Sequence, residues 1–268
     1  MNIVNPYQKG AVRTKEKFFG YKKQQAQMEK YVKESLDKST NQHMIFMGEP
    51  STGKTSFLNL TEQYCNENNL FTTLVDLKLE STCFDFFKDM FSSILDSFDK
   101  KLETENAKKM KKRFQRTCNM GDEGKSELDF ASEYYYWKQN GKQKDDYPGF
   151  GYIKDDLTTL MTFFKNDPSF VDSNFLPKIV ILVDDFQKIV GLDEHGETKG
   201  NEHDSASLHK NGDSISDILR LIIEKMDDEF LFIIATYPGI LKDEKFEQPQ
   251  KLFNRHFNSI DVNKYNDE

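Results

Sequence analysis

Short apolar runs alternate along the chain with segments in which apolar residues recur about every 3.6 positions. Such runs, bounded by polar residues, are typical of buried strands, and the longer period is typical of amphipathic helices. The sequence therefore predicts strands over residues 44–47, 70–79, 178–183, 230–235 and 257–262. It predicts helices over residues 22–38, 55–66, 83–98, 101–116, 153–164 and 217–226.

Strands that alternate with helices in this way predict an α/β fold, a parallel sheet covered by helices on both faces. Residues 1–268 are expected to form one domain, with a charged, partly helical insertion over 99–155. In the insertion, a predicted charged helix is followed by an irregular part that contains the aromatic cluster 134–137. Packing of that cluster onto the domain is favoured over a role as a binding surface.

Composition excludes several classes of protein. With 37% hydrophobic residues, including 23 Phe and 11 Tyr, the chain can build a core and is not disordered throughout. No apolar run approaches the roughly 20 residues that a membrane span needs. The first ten residues lack the apolar region of a secretory signal, and three scattered cysteines predict neither a disulfide framework nor a zinc site. We therefore expect a cytoplasmic protein.

The charge balance is acidic, with a net charge of −8 and a pI of about 5.3. This balance argues against a general affinity for nucleic-acid phosphates, although it permits a local basic patch. The candidate patch is Lys108-Lys109-Met110-Lys111-Lys112-Arg113, followed by Arg116. A run of this kind is usually the solvent-facing side of a helix.

Residues 191–213 are rich in Gly, Asp, Glu, Asn and His and predict a mobile loop. His195, His203 and His209 lie in it, but their spacing matches no metal-ligand pattern, which favours a solvated loop over a metal site. Ser214 and Ser216 are candidate N-caps for the helix that follows.

Gly48-Glu49-Pro50-Ser51-Thr52-Gly53-Lys54-Thr55 fits the phosphate-loop pattern G-x-x-x-x-G-K-[ST] between a predicted strand and a predicted helix. Small residues let such a loop curl so that its N–H groups point at phosphate oxygens. Lys54 adds a charge at the β- and γ-phosphates, and the Thr55 hydroxyl ligates Mg²⁺. The sequence therefore predicts that ATP or ADP with Mg²⁺ binds to Gly48, Glu49, Pro50, Ser51, Thr52, Gly53, Lys54, Thr55 and Ser56.

The apolar strand predicted over 178–183 runs directly into Asp184 and Asp185. Open α/β sheets bind their ligands at the carboxyl ends of the strands, where these acids would lie. Asp184 is expected to hold Mg²⁺, usually through water. Asp185 stands where a hydrolysing enzyme often has Glu to polarise the attacking water.

Together with a third strand that ends Ile234-Ala235-Thr236, these motifs resemble an AAA+ type ATPase. More narrowly, the chain resembles the STAND-like and archaeal-type branch, close to the replication-initiator ATPases. The resemblance implies that Asn5-Pro6-Tyr7 and Phe18-Phe19-Gly20-Tyr21 belong to a segment that lies over the adenine. It implies a polar sensor at Thr236 and an arginine finger, or a neighbouring structural arginine, at Arg255.

The chain departs from the family pattern in two ways. Asp185 replaces the usual Glu, and its shorter side chain argues against fast hydrolysis. The sequence also stops at Glu268, just after the last predicted strand, so the small helical lid of the family and its sensor arginine are expected to be missing.

Several functions remain open at this point. The leading one is a Mg²⁺-dependent ATPase that uses the nucleotide to switch conformation or assembly, alone or with a protein partner. The alternatives are a nucleotide-gated interaction module with little turnover and a DNA-linked ATPase of the initiator type, which the acidic charge does not favour. A small-molecule kinase is the least favoured, because it leaves Thr236 and the Pro6-Tyr7 segment unexplained.

Overall fold

In the residues that a computed structural model of the chain describes, five parallel strands form one sheet in the order β2-β3-β4-β1-β5. The strands are β1 Met44–Met47, β2 Phe71–Asp76, β3 Ile179–Asp184, β4 Phe230–Thr236 and β5 Asn258–Asp261. The structure describes residues 21–37, 41–78, 82–120, 126–140, 148–190, 192, 202–242 and 246–262, with the backbone alone at 37, 120 and 202–211.

Helices connect the strands within these described ranges. They are α1 Lys22–Asp37, α2 Lys54–Glu67, α3 Cys83–Leu102, α4 Glu105–Met120, α5 Asp129–Gln139, α6 Phe150–Asn166, α7 Pro168–Asp172, α8 Glu202–Met226 and α9 Glu247–His256. Two short 3₁₀ helices follow β3 and β4, at Phe186–Val190 and Pro238–Leu241. The predicted α/β fold with a parallel sheet is confirmed, and each of the five predicted strands overlaps an observed one.

Helices cover both faces of the sheet, which explains the unbroken apolar runs of the central strands. Alternate residues of β3 enter different clusters: Ile181 packs on the face that carries α3 and α8, and Leu182 on the face that carries α2. Every residue of β4 is buried. A run that is apolar at each position is therefore what these two strands require.

Two residues of the insertion's aromatic cluster, Tyr134 and Trp137, pack onto the domain, as predicted, whereas Tyr136 is exposed. The Trp137 ring stacks on Phe84 of α3, with 4.8 Å between ring centroids. The Tyr134 hydroxyl donates to Asp85 Oδ1 at 3.0 Å. These side chains lie on α5, where the sequence predicted irregular structure; residues 121–125 and 141–147 of the insertion lie outside the described ranges.

The charged helix predicted over 101–116 has different bounds. Helix α3 continues to Leu102, and Glu103 then takes a left-handed backbone conformation with φ 53°. Helix α4 begins at Glu105, where the Thr104 hydroxyl accepts the N–H of Ala107 at 3.1 Å. A side-chain cap thus marks the start of the second of the two predicted helices.

The loop predicted over 191–213 is wrong for residues 202–213, because α8 already begins at Glu202. Ser214 and Ser216 consequently lie inside the helix, and the Ser216 hydroxyl donates to the Gly212 carbonyl at 2.7 Å instead of capping. His195 and the side chains of His203 and His209 lie outside the described residues.

The carboxyl ends of three neighbouring strands form one edge of the sheet. Met47 of β1 pairs with Thr236 of β4, and Val183 of β3 pairs with Ile234 of β4. Because β4 lies between β1 and β3, the end of β4 separates the segment that follows β1 from the acids that end β3. None of the described helices is both long and apolar enough to cross a membrane.

Candidate functional site

The loop between β1 and α2 depends on its two glycines. A Cβ at Gly48 would overlap the Thr52 hydroxyl and the Val262 side chain, so only glycine fits there. Gly53 has φ 92°, a left-handed conformation that glycine adopts without strain. The Thr52 N–H and hydroxyl both donate to the Glu49 carbonyl, at 3.3 and 2.8 Å, which closes the loop on itself.

Helix α2 begins directly at this loop without a side-chain cap among the described residues. The N–H groups of a first helical turn have no partner within the helix, and the helix dipole makes that end positive. An uncapped N-terminus behind a curled loop is the arrangement that binds phosphate groups in proteins. The residues present therefore fit a phosphate ligand.

Lys54, the first residue of α2, points back into the loop. Its Nζ donates to the carbonyls of Gly48 and Glu49, at 2.9 and 3.0 Å, and the side chain is buried. Burial lowers the pKa of Lys54, whereas the charges of Asp185 and Asp184 act in the opposite direction. The ammonium group is thus held at the loop with both strand-end acids close enough to influence it.

Thr55 and Asp184 meet across the site, although they are far apart in the sequence. The Thr55 hydroxyl donates to Asp184 Oδ2 at 2.7 Å. Two neighbouring ligands of an octahedral Mg²⁺ ion lie roughly 3 Å apart, so these two oxygens fit one ion. Burial raises the pKa of Asp184, and the charge of Asp185 adds to this rise, against the lowering effect of the Thr55 hydrogen bond.

Such an ion would take only one carboxylate and one hydroxyl from the chain. Among the described residues, no group of three or more His, Cys, Asp and Glu is placed to hold a metal. Mg²⁺ usually keeps several waters and binds through one or two carboxylates and the phosphates of its nucleotide. The Thr55–Asp184 pair matches that mode of binding.

Asp185 follows the strand in a left-handed conformation, with φ 53°. Both oxygens of its carboxylate have partners: Gln187 Nε2 donates to Oδ1 at 3.0 Å, and Lys188 Nζ lies 3.1 Å from Oδ2. Lys188 also donates to the Leu77 carbonyl at 3.0 Å, which ties the segment after β2 to the acid. No sequence pattern points to Gln187 or Lys188 as site residues.

Thr236 lies at the end of β4, fully buried. Its hydroxyl donates to Gln187 Oε1 at 3.3 Å, and the Tyr237 N–H donates to the same oxygen at 3.1 Å. The Thr236 carbonyl accepts the Gly48 N–H at 3.4 Å. The end of β4 therefore contacts both the loop and the segment that carries Asp185.

The remaining residues that the sequence predicts at the nucleotide site differ in their burial. Glu49 is exposed, Pro50 is half-buried and Ser56 is buried in α2. The Tyr21 hydroxyl donates to the Thr52 carbonyl at 2.8 Å, so the last residue of the 18–21 segment touches the loop. Residues 5–7 and 18–20, which the resemblance assigns to the adenine, lie outside the described ranges.

Arg255 lies apart from these groups. It is exposed in the last turn of α9 and lines a cavity of about 210 Å³ with Asp217 and Arg220 of α8. None of the loop residues lines that cavity. No ion pair joins Arg255 to an acidic group within the described part of the chain.

Comparisons with known proteins add one finding. No protein-family model and no curated protein matches the chain. Among solved structures, the chain is similar to the Aeropyrum pernix ORC1 protein in complex with DNA, with a TM-score of 0.44 and 10% sequence identity. The match covers 93% of this chain and 47% of that one, so the chain spans about half the length of that structure.

Proposed function

We propose that the chain is a P-loop ATPase of AAA+ type that binds ATP or ADP with Mg²⁺ and uses the nucleotide to switch conformation or assembly. One observation carries the proposal: the buried Lys54 ammonium and the Thr55–Asp184 pair meet at the uncapped start of α2. A cation, a hydroxyl and a carboxylate in this arrangement suit a nucleotide triphosphate and its metal ion.

In this proposal the loop residues 48–55 bind the phosphates through backbone N–H groups, and Lys54 Nζ turns from the loop carbonyls to the β- and γ-phosphates. Thr55 and Asp184 would hold Mg²⁺ between them. An ion held by these two residues would supply positive charge against the charge that develops on the phosphate oxygens.

Asp185 and Thr236 would act on the attacking water. Asp185 accepts a proton of the water or orients it, and Thr236 offers its hydroxyl oxygen from the end of the neighbouring strand. Asp185 is shorter than the usual Glu, and Lys188 is paired with one of its oxygens. We therefore expect slow turnover, which keeps a nucleotide-gated interaction module as the second form of the proposal.

Thermal unfolding tests the proposal, because a ligand that binds only the folded state raises its melting temperature. ATP with Mg²⁺ should raise the melting temperature of the chain, and ATP with excess chelator should raise it less. In Asp184→Asn, ATP should raise the melting temperature by the same amount with and without Mg²⁺. Equal melting temperatures with and without saturating ATP would contradict the proposal.

A DNA-linked role is a second candidate function, favoured by one surface of α4. Lys109, Lys112 and Arg116 are exposed at spacings of three and four residues, so they form one stripe along the helix. Their neighbours Lys111 and Arg113 are paired with Asp99 and Glu127, but no acidic partner faces the stripe among the described residues. A row of unpaired cations suits a phosphate backbone.

Salt dependence of duplex DNA binding tests this candidate. Replacing the three stripe residues with Glu should weaken binding and lower the slope of log K against log salt by about 0.9 per lost phosphate contact. The control carries the same charge change on α1, at Lys22, Lys30 and Lys33. Equal loss of affinity in both variants would show that net charge, not the stripe, governs binding.

A further inference from the structure

Gln187 is a deeply buried polar residue beside the strand-end acids. Its side chain is 1% exposed, and it lies in the 3₁₀ helix Phe186–Val190 among the buried residues Phe186, Ile189 and Val190. Burial of a primary amide costs free energy unless its donors and acceptors are bonded. The hydrogen bonds of the Gln187 amide offset this cost, and they therefore indicate the role of the residue.

The amide joins the ends of β3 and β4. On one side Gln187 Nε2 donates to Asp185 Oδ1 at 3.0 Å. On the other side Gln187 Oε1 accepts from the Thr236 hydroxyl at 3.3 Å and from the Tyr237 N–H at 3.1 Å. The two lone pairs of an amide oxygen are thereby both used.

These contacts fix the direction of the amide. The Tyr237 N–H is a backbone donor and cannot become an acceptor, so the oxygen of Gln187 must face it. The NH₂ group must then face Asp185, where it meets a carboxylate that only accepts. A flipped amide would place two donors against each other on one side and two acceptors on the other.

The direction of the amide also fixes the Thr236 proton. Because the Thr236 hydroxyl donates to Gln187, its oxygen lone pairs remain free to accept a hydrogen bond. Asp185 likewise keeps lone pairs on both oxygens besides those used by Gln187 and Lys188. One buried side chain thus contacts two acceptors, at the ends of two neighbouring strands.

We propose that Gln187 is a positioning residue for ATP hydrolysis, which holds Asp185 and the Thr236 hydroxyl as paired acceptors for the attacking water. The inference rests on the proposed function. One water proton points at Asp185 and the other at Thr236 Oγ1, so an oxygen lone pair points at the γ-phosphorus. As the water adds to phosphorus, the bond to the ADP oxygen breaks and the proton passes to Asp185.

A purely structural role would depend on the other half of the amide. In that case the contact that matters is the hydrogen bond from the Tyr237 N–H to Gln187 Oε1, which orders the start of the segment after β4. Two substitutions separate the roles. Gln187→Met keeps the approximate shape and removes every hydrogen bond, whereas Gln187→Glu keeps the acceptor for Tyr237 and Thr236 and removes the donor to Asp185.

Steady-state ATP turnover with Mg²⁺ is the first readout. The positioning role predicts that kcat falls at least about tenfold in both variants, since a correctly placed base contributes on the order of 10²–10⁴ in rate. KM and the calorimetric affinity for ATP should stay within about twofold of wild type. The matched control is Gln24→Met, a buried glutamine that bonds the Asp261 carbonyl and should change kcat little.

Affinity for ADP with aluminium fluoride and Mg²⁺ is the second readout, because this complex mimics the transferring phosphoryl group. Both variants should bind it at least about tenfold more weakly than wild type, with ADP affinity unchanged. Circular dichroism and thermal melting check the fold, and Gln187→Asn, which is one methylene too short to make both contacts, replaces Gln187→Met if that variant does not fold.

The outcomes separate this inference from the proposed function. Wild-type protein that binds no ATP overturns both. Wild-type protein that binds ATP without measurable turnover overturns the role of Gln187 and leaves nucleotide binding standing. Wild-type kcat in Gln187→Glu together with a reduced kcat in Gln187→Met assigns Gln187 to structure alone and overturns the inference, as does wild-type kcat in both variants.

Discussion

Asp184 and Asp185 are neighbours in the chain, yet their carboxylates meet different groups. Asp184 accepts the Thr55 hydroxyl and the Asp185 N–H, at 2.7 and 3.0 Å, and so belongs to the phosphate-loop side of the site. Asp185 turns towards Gln187 and Lys188 through its left-handed backbone. At the scale of single residues, replacing Asp184 and replacing Asp185 are therefore expected to impair different properties of the protein.

Asp184→Asn should weaken Mg²⁺-dependent nucleotide binding, because the metal ion loses a charged ligand. Asp185→Asn should leave ATP binding within about twofold of wild type and abolish turnover, because the group that orients the water is lost. Calorimetry with and without Mg²⁺, combined with a turnover assay, measures both effects. Hydrolysis at the wild-type rate in Asp185→Asn would show that the assignment of Asp185 is wrong.

Some site residues can be predicted from sequence and others cannot, for a physical reason. The loop 48–55 and the Asp184-Asp185 pair carry a fixed pattern of residue types beside apolar strands, and the structure brings Lys54, Thr55, Asp184 and Asp185 together. Gln187 belongs to no such pattern. The available signal was an uncharged polar residue two positions after Asp185, in the short segment Phe186–Val190.

At the scale of elements, helix α5 begins at a cap that comes from another helix. Asp156 of α6 accepts the N–H groups of Asp129 and Phe130, at 2.9 and 2.7 Å, and is 2% exposed. Burial raises the pKa of Asp156 to about 6, against the lowering effect of these two hydrogen bonds. The folded state therefore binds this proton more tightly than the unfolded state does.

A group whose pKa is higher in the folded state stabilises the fold most below its unfolded pKa, which is about 3.9 for Asp. That contribution is lost as the pH rises through about 6, the folded value. Relative to Asp156→Asn, the free energy of unfolding of the wild type should rise as the pH falls from 7 to 4, by at most about 1.4 kcal/mol per pH unit. Urea unfolding of both proteins at several pH values measures this difference. Parallel pH profiles would refute the raised pKa.

The accuracy of the predicted elements follows from how much apolar surface each one buries. The predictions for β3 and β4 agree with the structure because residues 179–183 and 230–235 are all apolar and pack alternately on the two faces of the sheet. Residues 202–213 of α8 carry mainly polar residues, so composition favoured a loop. Helix α9 was missed because Pro249 and two glutamines interrupt its pattern, although proline is tolerated in a first helical turn.

At the scale of the whole molecule, the sheet order explains how distant segments form one site. β4 lies between β1 and β3, so Thr236 is placed between the phosphate loop and the acids without being near either in sequence. The same order leaves Arg255 on α9, beside α8 and away from the loop. An action of Arg255 on phosphate therefore requires a neighbouring subunit.

Turnover measured against protein concentration tests this assembly. If Arg255 acts in a second copy, specific activity should rise with concentration, since such an arginine contributes on the order of 10³–10⁵ in rate among P-loop enzymes. Arg255→Ala should flatten that rise while ATP affinity stays unchanged, and Arg113→Ala, whose arginine is paired with Glu127, serves as control. Specific activity that is independent of protein concentration over a hundredfold range would contradict a role for Arg255 in a neighbouring subunit.

The central claim is that the loop at Lys54 binds nucleotide phosphates, and calorimetric titration of ATP with Mg²⁺ tests it most directly. Wild type should bind, and Lys54→Ala should lose about 1.5–3 kcal/mol, because a charge-assisted contact to the phosphates is removed. Lys154→Ala, at an exposed lysine of α6, should bind like wild type. Equal ATP affinity in wild type and Lys54→Ala, or no heat of binding in the wild type, would contradict the account.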